Sequence, residues 1–123
     1  MIEFNNAKYL KLRPVDDSEV TSYSELLIDG EEVLQAFKSI RDMVVFTTKR
    51  IIAINVQGIT GKKKDFTSLP YSKIQAFSVE TAGTFDLDAE LEIWMSGLGR
   101  AKFEFAGSYD IKQIQHFIAN QVL

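Results

Sequence analysis

The sequence predicts a mainly β domain: a seven-stranded antiparallel barrel or sandwich, capped by a C-terminal α-helix and preceded by a short N-terminal helix. Three observations predict it. Seven segments between Glu31 and Phe105 either alternate apolar with polar residues or run as short β-branched and aromatic stretches. Nearly every link between them has hairpin length, which makes neighbouring strands antiparallel. The last segment switches to helical spacing, with an apolar stripe that must bury against the sheet.

The elements follow in order. Residues 1–15 mix polar and apolar side chains, end near Pro14, and read as a loosely attached arm with one short strand. Residues 17–27 read as a short helix, with Asp17 or Ser18 as cap and Val20, Tyr23 and Leu27 at helical spacing. Asp29-Gly30 breaks that pattern. From Glu31 the period becomes two, with Val33, Gln35 and Phe37 alternating with Leu34 and Ala36. Residues 43–47 and 51–56 are rich in β-branched and aromatic residues, joined by the polar turn Thr48-Lys49-Arg50. Gly58 and Gly61 punctuate a hairpin loop that ends in Lys62-Lys63-Lys64. Strands follow at 64–69, closed by Pro70, and at 73–81, with Phe77 and Val79 on one face. The slip in alternation at Ile74-Gln75-Ala76 marks a bulge. Residues 88–96 alternate most cleanly, Ala89, Leu91, Ile93 and Met95 against Asp88, Glu90, Glu92 and Trp94. After Gly97 and Gly99, Ala101, Phe103 and Phe105 face inward, with Lys102 and Glu104 outward. Asp110 caps the final helix, Gln113 is its reciprocal partner, and Tyr109 with Ile114 forms a hydrophobic staple. Ile111, Ile114, Phe117, Ile118 and Val122 make its apolar stripe.

Composition narrows the function classes. The 123 residues suit one domain with one core. Hydrophobic residues at 46% and charged residues at 25% describe a globular chain, not a disordered one. A net charge of −3 argues against a general nucleic-acid binder. The absence of cysteine excludes disulfides, thiolate metal sites and a cysteine nucleophile. His116 is the sole histidine, so a multi-histidine metal site is excluded too. The amino terminus has no basic start followed by an apolar stretch. The longest apolar runs, 43–46 and 51–54, fall far short of the roughly 20 residues that span a bilayer. The expectation is a cytoplasmic chain.

Seven antiparallel strands followed by one amphipathic helix is the order of a pleckstrin-homology-like fold. Several stretches make the likeness specific: Leu27-Ile28-Asp29-Gly30-Glu31-Glu32, Arg41-Asp42, Val45-Phe46-Thr47-Thr48-Lys49-Arg50, Gln57-Gly58-Ile59-Thr60-Gly61-Lys62-Lys63 and Leu69-Pro70-Tyr71. The strongest is the run from Phe77 to Leu91, which contains Glu80-Thr81-Ala82-Gly83-Thr84-Phe85-Asp86-Leu87-Asp88. Over roughly residues 25–123 the chain resembles the bacterial pleckstrin-homology domain family. The resemblance implies the same fold and a tendency to form ring-shaped homo-oligomers, and it implies no enzyme. The expected organisation is an N-terminal arm and short helix over 1–28 and a PH-like domain over 29–123.

The candidate sites are charged and aromatic. Lys38 and Arg41, with the cluster Lys62, Lys63 and Lys64, form the candidate contact for an anionic lipid surface. Two scattered cations and an opposing Asp42 are too few to cradle a phosphoinositide headgroup. Glu80, Asp86, Asp88, Glu90 and Glu92 alternate along a strand, which spreads carboxylates in a row about 7 Å apart and suits no single metal ion. Residues 41–64 carry six cations (Arg41, Lys49, Arg50, Lys62, Lys63, Lys64) against one anion, Asp42, whereas 80–92 carry those five anions and no cation. A basic edge of one subunit can therefore meet an acidic edge of the next, head to tail. Trp94 falls on the polar face of its strand, either as an interface anchor or covered by the N-terminal helix. His116 lacks an orienting carboxylate and a nucleophile in the pattern and reads as a surface residue. Gly83 reads as a turn residue, and no phosphate-binding glycine motif is present.

The expected function is a non-enzymatic module that assembles with itself and binds a protein partner. It uses no cofactor and no nucleic acid. Trp94, Glu90, Glu92, Arg50 and Lys63 are the self-association candidates, and peripheral binding to an anionic phospholipid surface is the alternative.

Overall fold

The computed structural model describes residues 1–16, 21–107 and 109–123. Eight strands follow one another: β1 Ala7–Val15, β2 Val33–Lys38, β3 Met43–Thr47, β4 Arg50–Gln57, β5 Lys63–Pro70, β6 Ile74–Glu80, β7 Ala89–Met95 and β8 Gly99–Phe105. One helix, α1 Ile111–Val122, closes the chain. The strands form one sheet in the order β5-β4-β3-β2-β1-β8-β7-β6, curled into a half-barrel.

The seven strands expected between residues 31 and 105 are all present, and the eighth is β1. Residues 7–15 are thus not a loose arm. They pair antiparallel with β2 and parallel with β8, at the centre of the sheet. The strand escapes a period-two reading because Lys11 takes a left-handed backbone, with φ of 56°. The register to β8 shifts between Tyr9 and Leu12, so these two inward residues lie three apart instead of two. A close approach seats its start. Asn5 Oδ1 accepts from the Arg100 N–H at 3.3 Å, and a Cβ on Gly99 would meet that same oxygen at 2.5 Å.

The expected N-terminal helix is also corrected. Over that stretch the described structure is a 3-10 turn, Thr21–Leu26. Its Thr-Ser-Tyr-Ser start is poor in strong helix formers, and short 3-10 pieces suit such segments. Asp17, Ser18 and Val20, the expected cap and first apolar position, lie outside the described residues.

The remaining elements follow their sequence patterns. In β7, Ala89, Leu91, Ile93 and Met95 are buried, as are Ala101, Phe103 and Phe105 in β8. The bulge appears where alternation slips, between Ile74 and Ala76. β3 is buried on both faces, which explains its unbroken apolar run. Val44 and Phe46 join the main core, whereas Met43 and Val45 pack with Ala36, Ile52 and Ile54 under Val15, Leu27 and Val33. Asp110 caps α1, accepting from the Lys112 N–H at 3.0 Å. Ile111, Ile114 and Ile118 enter the main core, and Phe117 meets Tyr71 edge to face at 5.3 Å. No helix among the described residues is long and apolar enough to cross a membrane.

A buried ion pair locks the corner where β2, β3, β4 and β5 meet. The Glu31 side chain is fully buried. It accepts from Arg50 Nε at 2.9 Å, Arg50 Nη2 at 3.0 Å, the Thr47 hydroxyl at 2.6 Å and the Ile28 N–H at 3.1 Å. Arg50 also donates to the Leu26 carbonyl and to Ser68 Oγ. The buried Tyr71 hydroxyl donates to the Thr47 carbonyl at 2.8 Å. Burial pushes the Glu31 carboxyl upward, but the hydrogen bonds from Arg50, Thr47 and Ile28 outweigh it and hold the group at about 2. Its ordinary value is 4.5, so its stabilising contribution is complete above that pH and is lost as pH falls towards 2. Glu31→Gln is expected to cost about 3 kcal/mol in denaturant unfolding near neutral pH. The same variant should lose much of the wild-type fall in stability between about pH 5 and pH 2.

Candidate functional site

The half-barrel leaves β5 and β6 as the two ends of the sheet, each with a strand neighbour on one side only. Such edges present backbone donors and acceptors in a row. The charged candidates lie along them.

On the β6 side, register aligns Glu80 with Glu90 and Glu90 with Glu104, three carboxylates abreast across β6, β7 and β8. Like charges directly opposite are unfavourable. Lys11 relieves one end, lying 3.7 Å from Glu104 and closer still to Asp88. Asp88 is held at about 2, first by Lys11 and then by the Gly107 N–H, which donates at 2.9 Å. Burial, and then its hydrogen bond to Asp88, push the Glu104 carboxyl upward. Asp88 thus pins the β6–β7 loop to the β1 bulge and to the turn after β8. Among the described residues no three acidic or histidine side chains converge as metal ligands would. Glu92 lies 3.3 Å from Arg100 and 3.8 Å from Lys102 within its own chain. Gly83 serves its turn, donating to the Asp86 carbonyl at 2.6 Å.

Trp94 stays 44% exposed, in a shallow hollow with Ala76, Phe77, Ser78 and Glu92 beside the β6 edge. The reading that covers it with the N-terminal helix does not match this exposure. His116 is exposed on α1.

The basic candidates divide. Lys62, Lys63 and Lys64 are exposed at the start of β5, and Arg41 lies in the neighbouring β2–β3 turn. The two turns touch, because Arg41 Nη2 donates to the Gly58 carbonyl. Lys38 is exposed at the end of β2. Lys49 and Arg50 lie at the opposite end of the eight-residue β4, about 25 Å along the strand. The sequence grouping of 41–64 into one basic region is therefore split in two. Arg50 is committed to Glu31 and is not a surface charge of the β5 edge.

Sequence reasoning missed two isoleucines. Ile40 is 95% exposed in the β2–β3 turn, and Ile59 is fully exposed in the β4–β5 turn. Each is an apolar residue set inside a turn signal, Ser39-Ile40-Arg41 and Gly58-Ile59-Thr60, and that contradiction was the available clue.

Beside these turns lies a polar hollow of about 460 Å³, lined by Tyr9, Asp42, Asn55, Gln57 and Asp65 among others. Its groups are mostly bonded to one another. The Tyr9 hydroxyl donates to Asn55 Oδ1 at 2.9 Å, Asp42 accepts from the Val56 N–H at 2.9 Å, and the Met1 ammonium lies 2.6 Å from Asp65. Burial raises the Tyr9 phenol to about 12. Nothing in this set pairs a nucleophile with a base.

The bacterial PH domain family profile matches residues 3–122. The chain is 51% identical over 98 residues to "Uncharacterized protein YjqA" of Bacillus subtilis (strain 168), covering 78% of each chain. It is 36% identical over 90 residues to "Uncharacterized protein YozO" of the same organism, covering 73% of this chain and 77% of that one. A crystal structure of a DUF1696 family protein with a pleckstrin-homology domain from Shewanella loihica PV-4 superposes with a TM-score of 0.81 at 43% identity, over 93% of this chain and 99% of that one. A pleckstrin homology domain from Shewanella amazonensis SB2B gives a TM-score of 0.67 at 45% identity, over 89% and 90% of the two chains.

The glutamate row carries its own expectation. Glu90→Gln separates Glu80 from Glu104 and should stabilise the dilute chain by about 0.5 kcal/mol in urea unfolding. The gain should shrink as salt screens the repulsion.

Proposed function

The chain belongs to the bacterial PH domain family, and from that premise we propose that it is a non-enzymatic binding module that associates with itself, edge to edge, into a homo-oligomeric scaffold. The observation that carries this reading is the pair of open edges with opposite charge at matching ends. β5 starts at Lys63, and β6 ends at Glu80 beside Glu90. Antiparallel docking of β5 on the β6 of a second copy sets the start of one strand against the end of the other. Lysines then meet the glutamate row that its own chain leaves crowded. The contact joins two different surfaces, so each copy keeps one edge for the next, and the series closes into a ring when the rotation allows.

Trp94 lies next to the β6 edge, where an exposed indole supplies a central anchor for such a contact. Lys63 and Glu90 supply its charges. Arg50 and Glu92 drop out of this reading, because each has ion-pair partners in its own chain. The family consists in general of binding modules, which supports a reading without catalysis. A scaffold of this kind repeats one surface many times, which suits capture of a protein partner by avidity.

Sedimentation of Lys63→Glu, Glu90→Lys and the double variant tests the charge pairing. The wild type should sediment at several times the monomer mass, each single reversal should lower that mass, and the double reversal should restore it. A wild type that sediments as a monomer at every concentration contradicts the proposal.

A further inference from the structure

The β6–β7 loop, residues 81–88, holds an aromatic ring in open water, and the edge-to-edge assembly does not use it. Phe85 is fully exposed and Leu87 is 59% exposed. A single exposed apolar residue is ordinary, but two of them two positions apart on one loop form a patch. The loop is braced. The Gly83 N–H donates to the Asp86 carbonyl at 2.6 Å and closes a turn around Phe85, while Asp86 Oδ1 accepts from the Asp88 N–H at 3.0 Å. Asp88 accepts in turn from the Gly107 N–H and pairs with Lys11. The ring therefore stands on a preorganised support, which lowers the ordering cost of any contact that it makes.

A hollow suited to such a ring lies close by. It measures about 250 Å³ and is lined by Arg13, Pro14, Ala106, Gly107 and Tyr109. Pro14 and Tyr109 give it apolar walls, and Arg13 is exposed at it. The Tyr109 ring is held edge to face on Phe37 at 5.0 Å and stacked on Phe105 at 5.9 Å. The loop thus offers an aromatic ring flanked by the exposed carboxylate of Asp86, and the hollow offers an aromatic wall flanked by a guanidinium. Phe85 does not fill the hollow of its own chain, because it is wholly exposed.

We propose that Phe85 of one copy seats in the Arg13–Tyr109 hollow of a second copy, with Asp86 against Arg13, and that the exchange is mutual about a twofold axis. Within each copy the hydrogen bond from Gly107 to Asp88 joins hollow and loop, so one axis between them brings both pairs together. An aromatic side chain enclosed by proline and tyrosine, with a charge pair at its rim, has the make-up of an interface anchor. The same chain supplies both complementary halves, which favours a second copy over an unrelated protein. This contact closes at two copies and needs neither the β5 nor the β6 edge. It would join two edge-to-edge assemblies face to face, and it stands whether or not those form.

Sedimentation over a concentration series tests it. Phe85→Ser should halve the limiting mass, both in the otherwise wild-type chain and in a Lys63→Glu background, and should weaken the pairing at least about tenfold. Arg13→Asp and Asp86→Arg should each weaken it, and the two together should restore it. The pairing does not use Trp94, the sole tryptophan. In a Trp94→Phe background, the emission of a Phe85→Trp variant should shift to the blue as concentration rises and return on dilution. The substituted side chains are exposed, and thermal melts within a few degrees of wild type will show each variant folded. A Phe85→Ser variant of unchanged mass overturns the proposal and leaves the edge-to-edge reading standing. A Lys63→Glu chain that forms a dimer dependent on Phe85 upholds it even where no ring forms. Blue emission independent of concentration overturns it and would place the ring in the hollow of its own chain. So do species larger than dimers in the Lys63→Glu background that Phe85→Ser abolishes, which would make the contact head to tail. A chain monomeric at every concentration overturns both readings.

Discussion

The hydrogen bonds that β1 makes on both of its sides determine the shape of this molecule. Residues 33–70 form one set of hairpins and residues 74–105 another, and each could twist as a separate sheet. β1 joins them, antiparallel to β2 and parallel to β8. Its bulge at Lys11 turns the strand while keeping both Tyr9 and Leu12 in the core, with the Tyr9 ring stacked on Phe103 at 5.4 Å. Because β1 occupies the centre, β5 and β6 become the outer strands. The two edges on which assembly would depend are a consequence of where the first strand inserts.

A second constraint decides which charges remain available at those edges. The Glu31 carboxylate takes up the guanidinium of Arg50, and that pair ties the 3-10 turn, the β3–β4 turn and β5 into one corner. Lys11 ties the β6–β7 loop back onto the β1 bulge through Asp88. Glu92 is balanced by Arg100 and Lys102. After these internal pairings, the start of β5 and the touching turns beside it remain basic, and the end of β6 remains acidic. The segregation of charge already visible along the sequence narrows to fewer residues once the structural ion pairs are set aside. The two edges are then complementary in charge.

Most of the fold was legible because most of its elements obey one period. Alternation from Ala89 to Met95 and from Ala101 to Phe105 identified the inward faces, a stripe of isoleucines identified the C-terminal helix, and a slip in pattern located the bulge at Ile74–Ala76. β1 was legible only as one short strand in a loose arm, for the same reason in reverse. Its left-handed Lys11 spaces the inward residues three apart, and its parallel neighbour β8 is distant in sequence, so neither local periodicity nor hairpin spacing reports it. Within the site, the outward placement of Trp94 followed from strand alternation alone. The split of the basic residues did not, because Arg50 and Lys63 are near in sequence but lie at opposite ends of their strands. Ile40 and Ile59 were passed over because a turn reading attends to glycine and polar residues, and an apolar residue between them carries no periodic signal.

The central claim is that β6 is paired with another copy in the working protein. Amide hydrogen exchange of β6 over a range of protein concentrations tests it most directly. The account predicts that the β6 amides directed away from β7 become protected as concentration rises and exchange freely on dilution, while those bonded to β7 stay protected throughout. Rapid exchange of the outward amides at every concentration would contradict it.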